Sequence, residues 1–408
     1  MTRIRHDVGD DTNAPVTTFA SFKGLVNTVN IGQLAPDELA VALNVDLTDR
    51  GTLRRRKGFI NKISLAMENL WAENDIALFS SAGNMYRLNP DYTYAVLASG
   101  ITPGARMSYA SVNKVVYHAN GLQMAAYQNG VIRTWGLRNP ATQPAAAPAM
   151  GILPAGVYQY AVTFERGDGQ ESGTGMAGSV SLPNDSGIYF TNIPVSADPS
   201  VYKIRLYLSP QNGDMLYYVA SIPNGVTTYS YLNGGADLGT PLRTQFKTRP
   251  PVGTDLAVYN GRMYIANKNF LHCTLPFNYE LADLREYMDF GAPITLVAVV
   301  SDGLFVATAD QTMFLSGNEY GAFTQEVVAP YGAIPGTLTY AEGALFGEGA
   351  TRGVVPVWES VRGKCFGGAG GVFTNLTQAR YLYPSAPTGA SIVLQLNGLN
   401  QHVSVLHG

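Results

Sequence analysis

The chain has 408 residues, of which 46% are hydrophobic and only 14% charged, with a formal net charge of −3. That length exceeds one ordinary core and predicts two or three domains. The net charge excludes a polyanion binder acting through the whole chain, and the low charge density suits a subunit buried among others in an assembly. A β-rich extracellular protein would share the composition. The 44 Gly, 23 Pro and 24 Tyr predict short strands punctuated by turns. Cys273 and Cys365 stand far apart without further ligand spacing, which excludes a disulfide scaffold and a cysteine zinc site and predicts buried free thiols. No run approaches the ~20 apolar residues of a membrane span. The opening residues, with His6 and Asp7 followed by Asp10 and Asp11, lack an apolar signal core, so the protein is expected to be made and kept in the cytoplasm until assembly or lysis.

In chain order, residues 1–58 read as an extended arm. An apolar start at Phe22-Lys-Gly-Leu-Val-Asn precedes a short helical stretch expected around Asp37-Glu38-Leu39 and a strand over Leu43 to Leu47. A turn at Asp49-Arg50-Gly51 then leads through Arg54, Arg55, Arg56 and Lys57 to Gly58-Phe59. This order resembles the opening of bacteriophage tail proteins built on a β-propeller, the nozzle or tubular type at the tip of short tails. The resemblance covers Phe22 to Ile60. It implies a location in the virion tail after synthesis in the host bacterial cytoplasm, and no cofactor. The partners it implies are copies of itself in a ring, other tail or connector proteins, DNA in transit and a host surface receptor.

The run Arg54, Arg55, Arg56, Lys57 is the one concentrated positive feature and the candidate site of contact. In a ring such segments would line a DNA channel and attract phosphates without sequence preference. The competing reading is a salt-bridged seam to an acidic neighbour. In a strand, alternate residues face opposite ways, so half the run can face one surface.

Residues 59–140 hold two units of one plan. Glu68 to Leu88 reads as strand, turn, a strand ending at Phe79, a Ser-Ala-Gly-Asn turn and a further strand; Arg106 to Tyr127 repeats it about forty residues later, the period of propeller blades. Ala141-Thr-Gln-Pro-Ala-Ala-Ala-Pro-Ala reads as a semi-rigid linker. Residues 150–247 then alternate over about seven strands, the immunoglobulin-like or fibronectin type III pattern without the cysteines of antibody domains. Residues 250–408 return to hairpins, turning at Asn260-Gly261 and Asp302-Gly303, and close on a strand at Ser391-Ile-Val-Leu-Gln-Leu. The expected fold is all-β: an irregular β-propeller split by an inserted fibronectin type III or Ig-like β-sandwich, led by the extended arm.

The sequence shows no catalytic set and no metal set. His6, His118, His272, His402 and His407 form no spaced pair, and His272 beside Cys273 would face the opposite side of a strand. Gly347-Glu-Gly and Gly367-Gly-Ala-Gly-Gly lack a following helix and read as turns. Glu280, Asp283, Glu286 and Asp289 after Pro276 read as a solvated helical turn between blades rather than the carboxylate pair of a glycosidase. Arg166-Gly167-Asp168 reads as a chance tripeptide in a hairpin loop, with Gly and Asp making the turn. The expected function is therefore structural and not enzymatic: a subunit of a phage tail nozzle or hub, ringed around or closing the DNA-delivery channel. The alternative is a receptor-binding tail protein that recognises bacterial surface glycan or pilus through exposed aromatics such as Tyr92 and Tyr94.

Overall fold

A computed structural model describes residue 19 and residues 21–48, 50–346, 353–377, 380–383, 386–396 and 399–407. His6, the opening acidic residues and Gly347-Glu-Gly lie outside the described residues. The fold is all-β, and its helical content among the described residues is three short 3-10 turns.

Among the described residues five four-stranded antiparallel meanders occur along the chain, two before and three after an intervening segment, giving a β-propeller-like series of small sheets. The first comprises Glu68–Glu73, Ile76–Ser81, Asn84–Leu88 and Tyr94–Ser99; the second, Ser108–Val112, Val115–Ala119, Met124–Gln128 and Val131–Arg133. The third comprises Asp255–Tyr259, Arg262–Asn267, Phe270–Leu275 and Asn278–Asp289; the fourth, Leu296–Val300, Gly303–Ala307, Thr312–Ser316 and Thr324–Ala329. The fifth comprises Thr339–Glu342, Val354–Ser360, Gly363–Gly367 and Phe373–Asn375.

Local chemistry explains the meanders. Two-residue turns at Ala82-Gly83, Asn113-Lys114, Asn129-Gly130 and Asn260-Gly261 all have both central φ angles positive, the turn whose twist matches that of the paired strands. The fourth sheet turns one residue earlier than the sequence suggests. Val300 pairs with Gly303 across Ser301-Asp302, and Gly303 enters the next strand because a Cβ there would stand 2.2 Å from the Leu315 carbonyl oxygen. In the first sheet the second strand likewise runs past Phe79 to Ser81, paired with Asn84.

Each sheet is too thin to bury its own faces, so the cores form between neighbours. Leu78 and Met85 of the first sheet pack with Val116 and Tyr127 of the second. Tyr117 and Trp135 pack with Leu256 and Met263, Tyr264 and Leu271 with Leu304 and Val306, and Phe305 with Trp358. The first strands of the second and third sheets lie against each other although more than a hundred residues separate them in sequence. A repeat also appears in hydrogen bonding: Thr254 and Thr295, each just before a first strand, donate N–H at 2.8 Å to the carbonyls of Ala266 and Ala307 respectively.

The intervening segment is a two-sheet sandwich. Ala145–Leu153, Ser186–Thr191 and Tyr229–Tyr231 form one sheet; Gly178–Leu182, Gly156–Arg166, Val201–Leu208 and Tyr217–Pro223 form the other, each in that order. Tyr160, Val162, Phe164, Ile188, Phe190, Ile204 and Leu206 fill the space between them. The Pro/Ala stretch is not a linker. Ala145 to Ala149 pair with Thr191 to Gly187, and Pro148 is accommodated on the first strand, an edge of its sheet.

The arm is extended as expected but holds no helix at Asp37-Glu38-Leu39. Glu38 and Leu39 pair in parallel with Gly24 and Leu25, while Pro36 restricts Ala35 and the 3-10 turn falls earlier, at Ile31–Gln33. The expected strand from Leu43 is the shorter Val45–Leu47, hairpinned to Leu53–Arg55. The arm is fastened to the far end of the chain: Asn27 Nδ2 donates to the Leu382 carbonyl and Leu382 N–H to Asn27 Oδ1, both at 2.9 Å. The closing strand read from Ser391 is a hairpin, Thr388–Leu396 with Leu399–His407.

Candidate functional site

The basic run divides as strand geometry requires. Arg54 and Arg55 lie on the second strand of the arm hairpin, opposite Asp46 and Val45 respectively. Arg56, past the strand end, donates from Nε to Asp46 Oδ1 at 2.9 Å. Arg54 is half-buried, whereas the exposed side chains of Arg55 and Lys57 make no ion pair. One of the four charges is thus neutralised within the arm, and Arg55 and Lys57 face solvent. Around them large apolar side chains are exposed: Leu43 is 81% exposed and, just past the arm, Phe59 87% and Ile60 78%, while Val26 is the arm's single buried hydrophobic residue among the described residues.

A second polar cluster joins the sandwich to the third sheet. Glu280, on the outer strand Asn278–Asp289, accepts from Arg133 Nη2 at 2.7 Å and from Arg166 Nη2 at 2.9 Å. Its Oε2 also accepts from Gly136 N–H at 3.2 Å. Gly136 has φ +71°, and a Cβ there would stand 2.6 Å from the Glu280 carbonyl oxygen, so the close approach depends on glycine. Trp135 Nε1 donates to the Tyr279 carbonyl at 2.7 Å, and Thr134 Oγ1 to Asp198 Oδ2 at 2.7 Å. The return crossing is tied to the same strand. Thr248 and Ala282 exchange both backbone hydrogen bonds, and Lys247 Nζ lies 2.7 Å from Asp283 Oδ2. The hydrogen bond from Arg285 holds the Asp283 carboxyl well below the usual range; burial opposes this and Lys247 adds to it.

These contacts correct two sequence readings. Glu280, Asp283, Glu286 and Asp289 lie on a twelve-residue strand rather than a loop or helical turn, because Asn278 to Asp289 pair with Leu275 back to Phe270. Glu280 and Asp283 are buried and neutralised by arginine and lysine rather than solvated, and Glu286 pairs with Arg262 at 2.9 Å. Gly167 and Asp168 do make the turn expected of Arg166-Gly167-Asp168, but Arg166 itself is 6% exposed and spans from Asp168 to Glu280. The signal that could have found Glu280 is its place among the apolar Tyr279, Leu281 and Ala282, where a charge implies a buried partner.

A third pair lies where first strands converge. Arg106 binds Asp255 through Nη1 at 3.1 Å and Nη2 at 2.5 Å, and the Thr254 carbonyl at 2.9 Å. Its Cδ lies 3.0 Å from where a Gly336 Cβ would stand, so glycine just before the fifth sheet leaves room for the arginine that links the second and third sheets. Burial raises the Asp255 carboxyl, opposed by the Arg106 charge.

Burial lowers His118 to about 4, and burial with the Lys364 charge lowers His402 to about 3. Burial pushes the Cys273 and Cys365 thiols up to about 12, so neither is a poised nucleophile. Both are free and buried, with Cys273 in a core and the His272 ring beside Phe270 and Tyr287. Among the described residues no group of three or more His, Cys, Asp or Glu could hold a metal ion, and no helix is long and apolar enough to cross a membrane.

No protein-family model matches the chain, and no curated protein matches it. Among solved structures it is similar to a catalytically inactive virginiamycin B lyase from Staphylococcus aureus with quinupristin, at 9% identity and a TM-score of 0.34, covering 85% of this chain and 97% of that one. It is also similar to PorZ, a surface component of the type-IX secretion system of Porphyromonas gingivalis, at 11% identity and a TM-score of 0.18, covering 86% of this chain and 52% of that one. A third is the extracellular domain of a one component system from B. thetaiotaomicron, at 8% identity and a TM-score of 0.19, covering 86% of this chain and 64% of that one. These are distant likenesses and carry no argument about activity.

Proposed function

We propose that this chain is a structural subunit of a bacteriophage virion tail, part of a nozzle or hub that assembles as a symmetric ring and continues or closes the DNA-delivery channel. In this reading the small sheets form an irregular β-propeller, split by a sandwich of fibronectin type III or Ig-like kind, and the chain is not an enzyme. The observation that carries the proposal is the arm. Ile31, Val41, Leu43 and, just past it, Phe59 and Ile60 are exposed in a turn and in irregular stretches around short strand pairs with little core of their own. An exposed apolar segment of that kind is costly in an isolated protein and is expected where neighbouring subunits cover it.

The test is native mass and negative-stain imaging of the purified protein, alone and mixed with tail components. A closed ring is the expected result; a monomer or trimer that ignores tail components would overturn it. Arg55→Glu with Lys57→Glu then separates the roles of the basic run. Intact particles with reduced DNA delivery mean a channel lining, and failed assembly means a subunit seam.

A receptor-binding role is favoured by one observation. Tyr92, at a turn with φ +67°, is 53% exposed and Tyr94 is 44% exposed on the rim of the first sheet. Tyr92→Ala with Tyr94→Ala should abolish cell-surface glycan or pilus binding if that reading holds.

A further inference from the structure

We propose that the basic arm of one copy docks on the outer edge of the fourth sheet of a second copy, and that this contact propagates the ring. The inference rests on the ring reading above and names its interface.

Charge divides sharply along the chain. Residues 50–67 contain six Lys and Arg and no carboxylate, while residues 290–346 contain five Asp and Glu and no Lys, Arg or His. The acidic segment contains the whole fourth sheet. Its outer strand, Thr324–Ala329, pairs on one side with Thr312–Ser316 and, among the described residues, leaves its other backbone edge open. Glu326 stands on that strand and Glu319 in the turn before it; both are exposed and neither forms an ion pair. Val327 beside Glu326 is 54% exposed.

The arm offers the complement. Leu53–Arg55 also has one paired edge and one open edge, Arg55 and Lys57 are exposed and uncompensated, and Leu53, Phe59 and Ile60 are exposed apolar neighbours. In its own chain the arm is held by Lys23 and Asn27 to residues 380–382, and no hydrogen bond or ion pair joins residues 53–60 to the fourth sheet. Exposed, weakly protected strand edges favour addition of another strand. Two such edges of opposite charge, each flanked by apolar side chains, satisfy each other's backbone groups and carry their own selectivity against wrong pairing. The two patches differ, so the contact is head-to-tail, the type of interface that forms a ring when the rotation between copies closes.

The test uses the full chain with two surface variants, Arg55→Glu/Lys57→Glu and Glu319→Lys/Glu326→Lys, followed by native mass spectrometry at low salt, alone and with tail components. Each variant alone should assemble at least about a hundredfold more weakly than the unaltered protein. An equimolar mixture of the two should recover rings of alternating composition, because every repulsive contact then meets its opposite. Recovery also shows that both variants fold. Rings from either variant alone, or a mixture that stays dissociated, would overturn this interface while leaving the ring reading in place. An unaltered protein that never forms rings would overturn both.

Discussion

Arg166, at the end of a sandwich strand, and Glu280, on the outer strand of the third sheet, meet at 2.9 Å with both side chains 7% exposed. Arg133 joins the same carboxylate at 2.7 Å, so one buried acid holds two arginines from different parts of the chain. The sandwich is thereby fixed to the series of sheets rather than tethered beside it.

Removing that acid should be costly. Glu280→Ala leaves two buried guanidinium groups without their shared partner, and a loss of about 3–5 kcal/mol is expected. Urea unfolding measures it. A loss below about 1 kcal/mol would place the cluster with exposed ion pairs.

Asp283 gives a pH dependence of defined sign. Its carboxyl titrates below the ordinary value in the folded protein, chiefly through the Arg285 hydrogen bond. The stabilisation is fully present above the unfolded value of about 4 and is lost as pH falls toward the folded value. Asp283→Asn should flatten that part of the acid stability profile, as read by thermal midpoints at stepped pH.

Arg106 and Asp255 should behave in the opposite sense. Burial raises the Asp255 carboxyl while Arg106 opposes it, so Arg106→Ala raises it further. A raised acid binds its proton more readily folded than unfolded, and stability then falls as pH rises from about 4 toward the folded value. The variant should lose about 3–5 kcal/mol near neutrality and less under mild acid. Adding Asp255→Asn should recover part of the loss, and the matching double-mutant cycle measures how much.

The sandwich should be more stable alone when its first strand is complete. Ala145 to Ala149 pair with Thr191 to Gly187, so a fragment starting at residue 141 should melt cooperatively and one starting at residue 150 at a lower temperature. Equal melting of the two fragments would mean that this strand adds nothing.

Gly173→Ala should loosen the junction. A Cβ there would stand 1.7 Å from the Lys247 carbonyl oxygen, an overlap that backbone movement alone can relieve. Faster hydrogen exchange is expected at Thr248 and Ala282, whose backbones exchange hydrogen bonds across the return crossing.

Much of the local plan was legible because it depends on neighbours in sequence. Asn260-Gly261 is a tight turn wherever it sits, since its two positive φ angles are intrinsic to the pair. Alternation in Gly156 to Arg166 marks a strand for the same reason, although Tyr160 to Phe164 are buried on both faces. The run Arg54 to Lys57 was legible as a charge cluster, but its division into one neutralised and two free cations needed Asp46 across the hairpin. The Pro/Ala segment misled because its composition suits a linker while its backbone serves an edge strand.

The sequence by itself determined the all-β class, tight turns such as Asn260-Gly261 and the basic run of the arm, because periodicity, turn chemistry and composition act over a few residues. Only the tertiary structure decided that Glu280 and Asp283 lie buried on a strand in salt bridges to Arg166 and Lys247, that Arg106 links the second and third sheets, and that the first strands of those two sheets lie side by side. Those relations join residues far apart in sequence, from 36 positions for Lys247 and Asp283 to 149 for Arg106 and Asp255, and the free energy that selects them comes from desolvation and packing between sheets, to which no local pattern corresponds.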